Sequence, residues 1–404
     1  EGFSVPLLIG GATTSKVHTA VKIEPHYSQP VIHVNDASRS VPVVSQLLSK
    51  EQRREFVATT RAEYERVREY NRLANSPDKY LSIEEARSKR FTTDEDLKIV
   101  APREQGIMVF DDYSLQDIAE YIDWTPFFHA WELKGVYPKI LDDPSQGAEA
   151  MKLFTDAKVM LDRVIAEKWL KARAVAGVFP ALATGDDIEV MDATGQHPVA
   201  MFHTLRQQTR KPDSQPNIAL ADFVLSREKA VEGQTDYIGA FAVTAGIGID
   251  AWVEKFEKDN DDYSAILLKA IADRLAEAFA ELLHKRVRRE CWGYAADEQL
   301  TNKELIKEEY RGIRPAPGYP AQPDHTEKIT LWKLLEVEKH TGIQLTDSMA
   351  MFPTASVSGL YFAHPEAHYF GLGRISKDQI TDYARRKGMS IQETERWLGS
   401  VLGY

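Results

Sequence analysis

Ten consecutive residues, Arg311-Gly312-Ile313-Arg314-Pro315-Ala316-Pro317-Gly318-Tyr319-Pro320, set the tightest limit on how this chain can fold. Three prolines fix φ at their own positions and withhold three backbone donors, and each pushes the residue before it away from the α region. Neither a helix nor an interior strand runs through such a stretch. Gly312 and Gly318 supply the positions free to take positive φ. The product is a stiff, extended segment carrying a guanidinium at Arg314 and a phenol at Tyr319. A guanidinium fork bonds both oxygens of a carboxylate, and a tyrosine face attracts a cation stripped of water. A ligand with a carboxylate, a positive centre and a flat ring suits these groups. A proline-rich crossover bearing one surface arginine has the same composition.

Around that segment, 404 residues leave room for two or three domains with a substantial core. A net charge of −11 argues against nucleic acid and anionic membranes as partners. No apolar run is long enough for a transmembrane helix, and no repeat recurs at a fixed period. The lone cysteine, Cys291, excludes internal disulfides and fits a reducing, cytoplasmic setting. The chain opens on Glu1 and enters a buried-type strand within a few residues, as expected of a piece of something longer.

Residues 1–75 read as the closing part of a doubly wound α/β domain. Val5-Pro6-Leu7-Leu8-Ile9 predicts a strand ending in Gly10-Gly11, with Thr13, Thr14 or Ser15 capping the next helix. Pro25 stops that helix, Val31-Ile32-His33-Val34 is the next strand, and a helix opens at Asp36-Ala37-Ser38. A charged helix follows over 51–73. Glycines after a strand let a ligand approach the carboxyl edge of such a sheet; a plain strand-to-helix turn uses them equally well.

Residues 76–104 read as a linker with a helix over 83–89. From 105 to 404 the pattern predicts helices over 112–122, 147–167, 251–256, 264–290 and 328–340. Strands are predicted over 174–182, 187–191, 199–205, 218–225 and 237–243, and a hairpin pairs 356–362 with 368–372. Ser376 with Gln379, and Ser390 with Glu393, read as capping boxes. Strands in a block followed by helices, without strict βαβ alternation, make this an α+β domain. On the long helix Asp273, Glu277 and Glu281 fall four residues apart, a row of like charges that is a solvated face unless a cation sits among them.

No P-loop, Cys-x-x-Cys, His-Glu-x-x-His or Gly-x-Ser-x-Gly element occurs, and the eleven histidines are scattered. Phosphoryl transfer, triad hydrolysis and zinc chemistry lose ground. What remains is a ligand site drawn from Arg314, Tyr319, Asp123 and the carboxylate-bearing helix, with Tyr369 within reach. Asp123 could equally cap a turn before Pro126, and Tyr369 could fill one face of its hairpin.

Three motifs in order carry a family resemblance: Tyr121-Ile122-Asp123-Trp124-Thr125-Pro126-Phe127-Phe128, Ala272-Asp273-Arg274-Leu275-Ala276-Glu277-Ala278-Phe279-Ala280-Glu281, and Gly312 to Pro320. Together they resemble the activation domain of cobalamin-dependent methionine synthase, over roughly 77–404. Residues 1–75, with Gly10-Gly11-Ala12-Thr13-Thr14-Ser15, resemble the end of that enzyme's cobalamin-binding domain. The resemblance implies an α+β activation domain, an antiparallel sheet with helices, preceded by the C-terminal part of a doubly wound α/β cobalamin-binding domain. It implies S-adenosylmethionine at Arg314, Tyr319, Ala316, Asp123, Glu277, Tyr369 and Phe370. It also implies residual cobalamin contacts at Gly10, Gly11 and Ala37.

The reaction implied is methyl transfer from the sulfonium to cobalamin after one-electron reduction by flavodoxin or a flavodoxin-like reductase. It belongs to the enzyme that methylates homocysteine from methyltetrahydrofolate. Zinc belongs to that enzyme's homocysteine domain, outside this sequence, and the upstream cobalamin-binding domain is an implied partner. The Asp-x-His-x-x-Gly element that supplies the lower cobalt ligand is absent. The expectation is therefore ligand binding without turnover by this chain alone. A non-catalytic S-adenosylmethionine-binding docking domain is the other reading.

Overall fold

The computed structural model describes residues 4–10, 15–34, 40–74, 79–92, 98–192, 194–231 and 233–404, with 70–74 described by backbone alone. The chain separates into two units, Glu1–Leu81 with Gly403–Tyr404, and Ser82–Leu402.

In the first unit β1 (Leu7–Gly10) lies parallel to β2 (Val31–Val34), Leu7 opposite Val31 and Gly10 opposite Val34. Between them Ser15 caps the single turn α1 (Lys16–His18), its hydroxyl accepting the His18 N–H at 3.1 Å. Pro25 falls in the short 3₁₀ turn that ends this crossover. Helices α2 (Ser40–Leu48) and α3 (Arg53–Ala74) follow. Ile32, Val34 and Leu47 make a small core with Leu8, Val43, Phe56 and Val57 around it. Tyr64 of α3 is buried and polar in its role: its hydroxyl accepts the His33 N–H at 2.7 Å.

The second unit opens on α4 (Ile83–Ser88), closed by a complete capping box between Ser82 and Glu85. This helix and the residues after it are bound into the second unit. Arg87 donates to Asp186 at 2.9 Å, and the Val100 carbonyl accepts the Trp292 indole N–H at 2.9 Å. Then come β3 (Gly106–Tyr113), α5 (Leu115–Ala119), α6 (Thr125–Ala130) and α7 (Gly147–Ala166). Next are β4 (Lys171–Thr184), β5 (Asp187–Met191), β6 (Pro198–His203), β7 (Asp236–Ile247), α8 (Ile249–Lys258) and α9 (Asp262–Arg286). The chain ends with α10 (Asn302–Ile306), α11 (Glu327–Leu335), α12 (Val337–Thr341), the small hairpin β8 (Gln344–Leu345) and β9 (Met351–Phe352), β10 (Ser356–Tyr361), α13 (Lys377–Lys387) and α14 (Ile391–Trp397).

The sheet is antiparallel throughout, in the order β10-β7-β4-β5-β6, with β3 also pairing β4. Alternation along β4 explains how it serves two cores. Ala172, Ala174, Ala176 and Val178 face α7 and α9, whereas Val175, Phe179, Ala181 and Ala183 face α11 and α12. Helix α9 packs on the sheet over β7 and β10 and buries nearly its whole C-terminal half. This is the α+β architecture expected.

Several local expectations fail; the helix expected over 328–340, for instance, is broken at Glu336, whose φ is 49°. Residues 112–113 end a strand rather than start a helix, because β3 pairs with β4 from Gly106 to Tyr113. Residues 218–225 make only a 3₁₀ turn, Leu220–Phe223, whose Asp222 is held by Arg206 at 2.7 Å. Residues 368–372 do not pair with β10: one edge of β10 is taken by β7 and the other by the proline segment, as described below. At α13 no capping box forms. Gln379 instead spans the Arg206 backbone, accepting its N–H at 2.7 Å and donating to its carbonyl at 2.8 Å.

Candidate functional site

The proline segment runs along the free edge of β10. Ile313 and Phe362 exchange both backbone hydrogen bonds, at 3.1 and 3.0 Å, and the Pro315 carbonyl accepts the Leu360 N–H at 2.9 Å. Proline fits here because an edge needs few donors. Gly312 has φ +83°, and a Cβ there would meet the Phe362 carbonyl oxygen at 2.3 Å. Ala316-Pro317-Gly318-Tyr319 then forms a turn closed by the Tyr319 N–H to the Ala316 carbonyl at 3.2 Å, with Gly318 at φ +97°. Proline second and a positive-φ glycine third is the type II pattern. The turn leaves Tyr319 60% exposed.

Arg314 points the other way, toward the C-terminal half of α9. Its Nη2 lies 2.8 Å from Glu281 Oε2, and its Nη1 donates to Tyr310 Oη at 2.6 Å. Nη1 also approaches His284 Nδ1 at 3.3 Å. Arginine only donates, so Nδ1 is the acceptor and the imidazole proton sits on Nε2, which faces Tyr294 Oη at 3.4 Å. Burial, reinforced by Arg288 and Arg314, holds His284 well below the ordinary histidine pKa and keeps it neutral. Burial works against the Arg314 charge, yet Glu281 and the surrounding phenols hold its pKa above the usual arginine value. The Arg314 backbone N–H donates to Tyr369 Oη at 3.0 Å, so main chain and side chain are both pinned. Arg288 continues the charge alternation: it forms two bonds to Glu298, at 2.9 and 2.7 Å, and lies 4.1 Å over the Tyr310 ring.

The row of carboxylates on α9 therefore divides. Asp273 and Glu277 are exposed, while Glu281 is 7% exposed and paired with a cation. Glu277 lies near enough to Tyr319 to raise its phenol pKa, after burial, which is the larger cause. Tyr369 is 39% exposed, and Phe370 packs beside Phe223 at 6.4 Å. Asp123 sits in the turn before α6, its Oδ1 accepting the Thr125 N–H at 2.9 Å, while Trp124, Phe127 and Phe128 enter the core shared with α9. Arg314, Tyr369 and the Glu277–Tyr319 pair thus come together around α9 and the proline segment. Asp123 is half-buried and makes no contact with Arg314 among the described interactions.

The family model described as vitamin B12 dependent methionine synthase, activation domain, matches residues 114–388. The chain belongs to that family. It is also similar to the crystal structure of the MetH reactivation domain bound to AdoHcy, with 53% identity over 80% of this chain and 99% of that one, at a TM-score of 0.77. The methionine synthase activation domain is part of a methyltransferase and works with the other domains of the same enzyme.

Within this activation domain nothing in the sequence marks Tyr310 and His284 as partners of Arg314, or Arg288 and Glu298 as the ion pair beside them. His284 lies on α9 and Arg288 on the turn that continues it, and the packing of α9 against β10 and the proline segment brings them to Tyr310 and Arg314. Glu281 carried a signal, its place in the carboxylate row, but Glu277 carries the same one. Of the residues expected against cobalamin, Gly11 and Ala37 lie outside the described residues. At Gly10 a Cβ would meet the Val34 carbonyl oxygen at 2.7 Å, so the close approach of β2 alone accounts for glycine there. Among the described residues no group of His, Cys, Asp or Glu is arranged to hold a metal ion, and no helix is long and apolar enough to cross a membrane.

Proposed function

We propose that residues 105–404 bind S-adenosylmethionine against the proline segment and present its methyl group for transfer to cobalamin, reactivating a cobalamin-dependent methionine synthase. The observation that carries this reading is Arg314, clamped by Glu281, Tyr310 and His284 through its Nη atoms. Its Nε has no hydrogen bond among the described residues, which leaves a donor for the ligand carboxylate. Exposed Tyr319, with Glu277 close by, suits the sulfonium. Asp123 would take the ammonium, and the extended backbone at Ala316 with Tyr369 and Phe370 the adenine. AdoHcy, bound in the related crystal structure, is S-adenosylmethionine without its methyl group.

Displacement at a methyl carbon needs alignment and exclusion of water rather than an acid or a base. The residues described here supply the first: they orient the sulfonium, whose sulfur keeps the C–S electron pair as the methyl leaves. Cobalamin would supply the methyl acceptor after one-electron reduction of cob(II)alamin by a flavodoxin-class donor. The described residues do not form a cradle for it. Gly10 is explained by strand packing, and the histidine element for the lower ligand is missing from the sequence. In this proposal residues 1–75 are the C-terminal part of the cobalamin-binding domain, 76–104 connect, and the acceptor is held by the rest of that domain. The setting is cytoplasmic.

The test is a single-turnover assay with S-adenosylmethionine labelled in its methyl group, a complete cobalamin-loaded domain and reduced flavodoxin. Label should reach cobalamin only when this chain is present, and Arg314→Ala should abolish the transfer. Transfer at the same rate without the chain would refute the reading.

A further inference from the structure

A cavity of about 360 Å³ shares no residue with the Arg314 cluster; it opens beside the end of β4 and the 3₁₀ turn Leu220–Phe223. We propose that it is a separate binding site for a planar heteroaromatic monoanion. That volume is within the range of small-molecule sites. Its lining includes His364, which is 5% exposed. His364 Nδ1 accepts the Glu366 N–H at 3.1 Å, which places the ring proton on Nε2. Nε2 is buried and has no partner among the described residues. The ring cannot turn away to find one: Phe91 meets it edge-on at 5.7 Å and Phe223 packs at 5.9 Å. A buried donor held in place without an acceptor is the kind of exception that calls for a ligand or an ordered water.

The remaining lining decides what the ligand looks like. Asp236 also borders the cavity, but both its oxygens are used, accepting the Leu225 and Tyr237 N–H groups at 2.9 and 2.8 Å. Each oxygen already accepts one backbone N–H, and the buried carboxylate repels negative charge from the interior. An anionic group therefore belongs at the mouth, where Lys229 is exposed and Arg90 is only loosely paired with Glu228 at 3.4 Å. Between the two ends Phe91, Ala221 and Leu225 give an apolar wall for a flat body. The ligand thus needs a ring acceptor for His364 Nε2–H at one end and a carboxylate or similar group at the other.

Nicotinate has this layout; benzoate has the same shape and charge without the ring nitrogen. Titration calorimetry on the full chain should give nicotinate binding at millimolar concentration or tighter, with benzoate about tenfold weaker. His364→Phe keeps an aromatic ring in place and should bring nicotinate down to the benzoate level. Lys229→Glu, at an exposed position, should weaken both. Arg314→Ala should leave nicotinate binding unchanged, which separates this site from the one proposed for S-adenosylmethionine. The proposal is overturned by any of three results: no heat with either compound, equal affinity for the two, or loss of nicotinate binding in Arg314→Ala.

Discussion

Arg314 donates to Glu281, Tyr310 and His284 at once, so its position is set before any ligand arrives. The same pairing makes the residue structural. In Arg314→Ala, buried Glu281 keeps only the more distant Arg288, at 4.0 Å, as a counter-charge, and urea unfolding should show a loss of about 3 kcal/mol. Arg314→Ala combined with Glu281→Gln removes both charges and should recover most of that loss; equal destabilisation of single and double variants would disprove the coupling. His364 gives a second check, through pH. Burial, with Arg311 adding to it, lowers its pKa from 6.5 to about 4. The unfolded chain therefore takes up a proton that the folded chain refuses. Stability is intact above pH 6.5 and falls as the pH drops toward 4, by about 3 kcal/mol at about 1.4 kcal/mol per unit. Unfolding curves across that range should show this extra loss in the native chain and not in His364→Phe. At this scale Arg314 was legible, because arginine set among prolines is chemically distinctive. Its partners were not, since nothing local to Tyr310 or His284 says what will be packed against them.

The proline segment and β10 are best understood as one element. Three prolines cannot join a sheet interior, yet Ile313 and Pro315 still supply the bonds that cover the edge of β10. That edge was read as half of a hairpin, because residues 356–362 and 368–372 alternate suitably and flank a turn. Periodicity reports which residues can form a strand; it does not report which neighbour takes the edge. Gly312 is where the segment enters this pairing, at φ +83° and against the Phe362 carbonyl. Gly312→Ala should cost about 2 kcal/mol or more, and hydrogen exchange should show the Ile313 and Phe362 amides losing protection first. Unchanged protection there would mean that the edge pairing does not depend on the glycine. Strand β3 escaped the sequence reading for a related reason: its polar end, Asp111-Asp112, resembles a helix start, and Asp112 takes φ 49° where the pairing with β4 shifts register.

For the whole molecule, the α+β class was legible from the order of strand-like and helix-like runs; the antiparallel sheet came with the family resemblance, and the helices on both its faces emerge only from the structure. The long helix α9 is the organising piece: one side packs on β7 and β10, and its C-terminal half carries the counter-ion of Arg314. The central claim is that this arrangement holds S-adenosylmethionine by its carboxylate, and calorimetric titration tests it most directly. Arg314→Ala/Glu281→Gln removes the guanidinium without leaving a buried charge behind. It should bind S-adenosylmethionine at least about tenfold more weakly than the native chain, since a charged hydrogen bond is lost. The two proteins should bind 5′-methylthioadenosine, which lacks the amino-acid end, with the same affinity. Equal affinity of the native and double-variant proteins for S-adenosylmethionine would contradict the account.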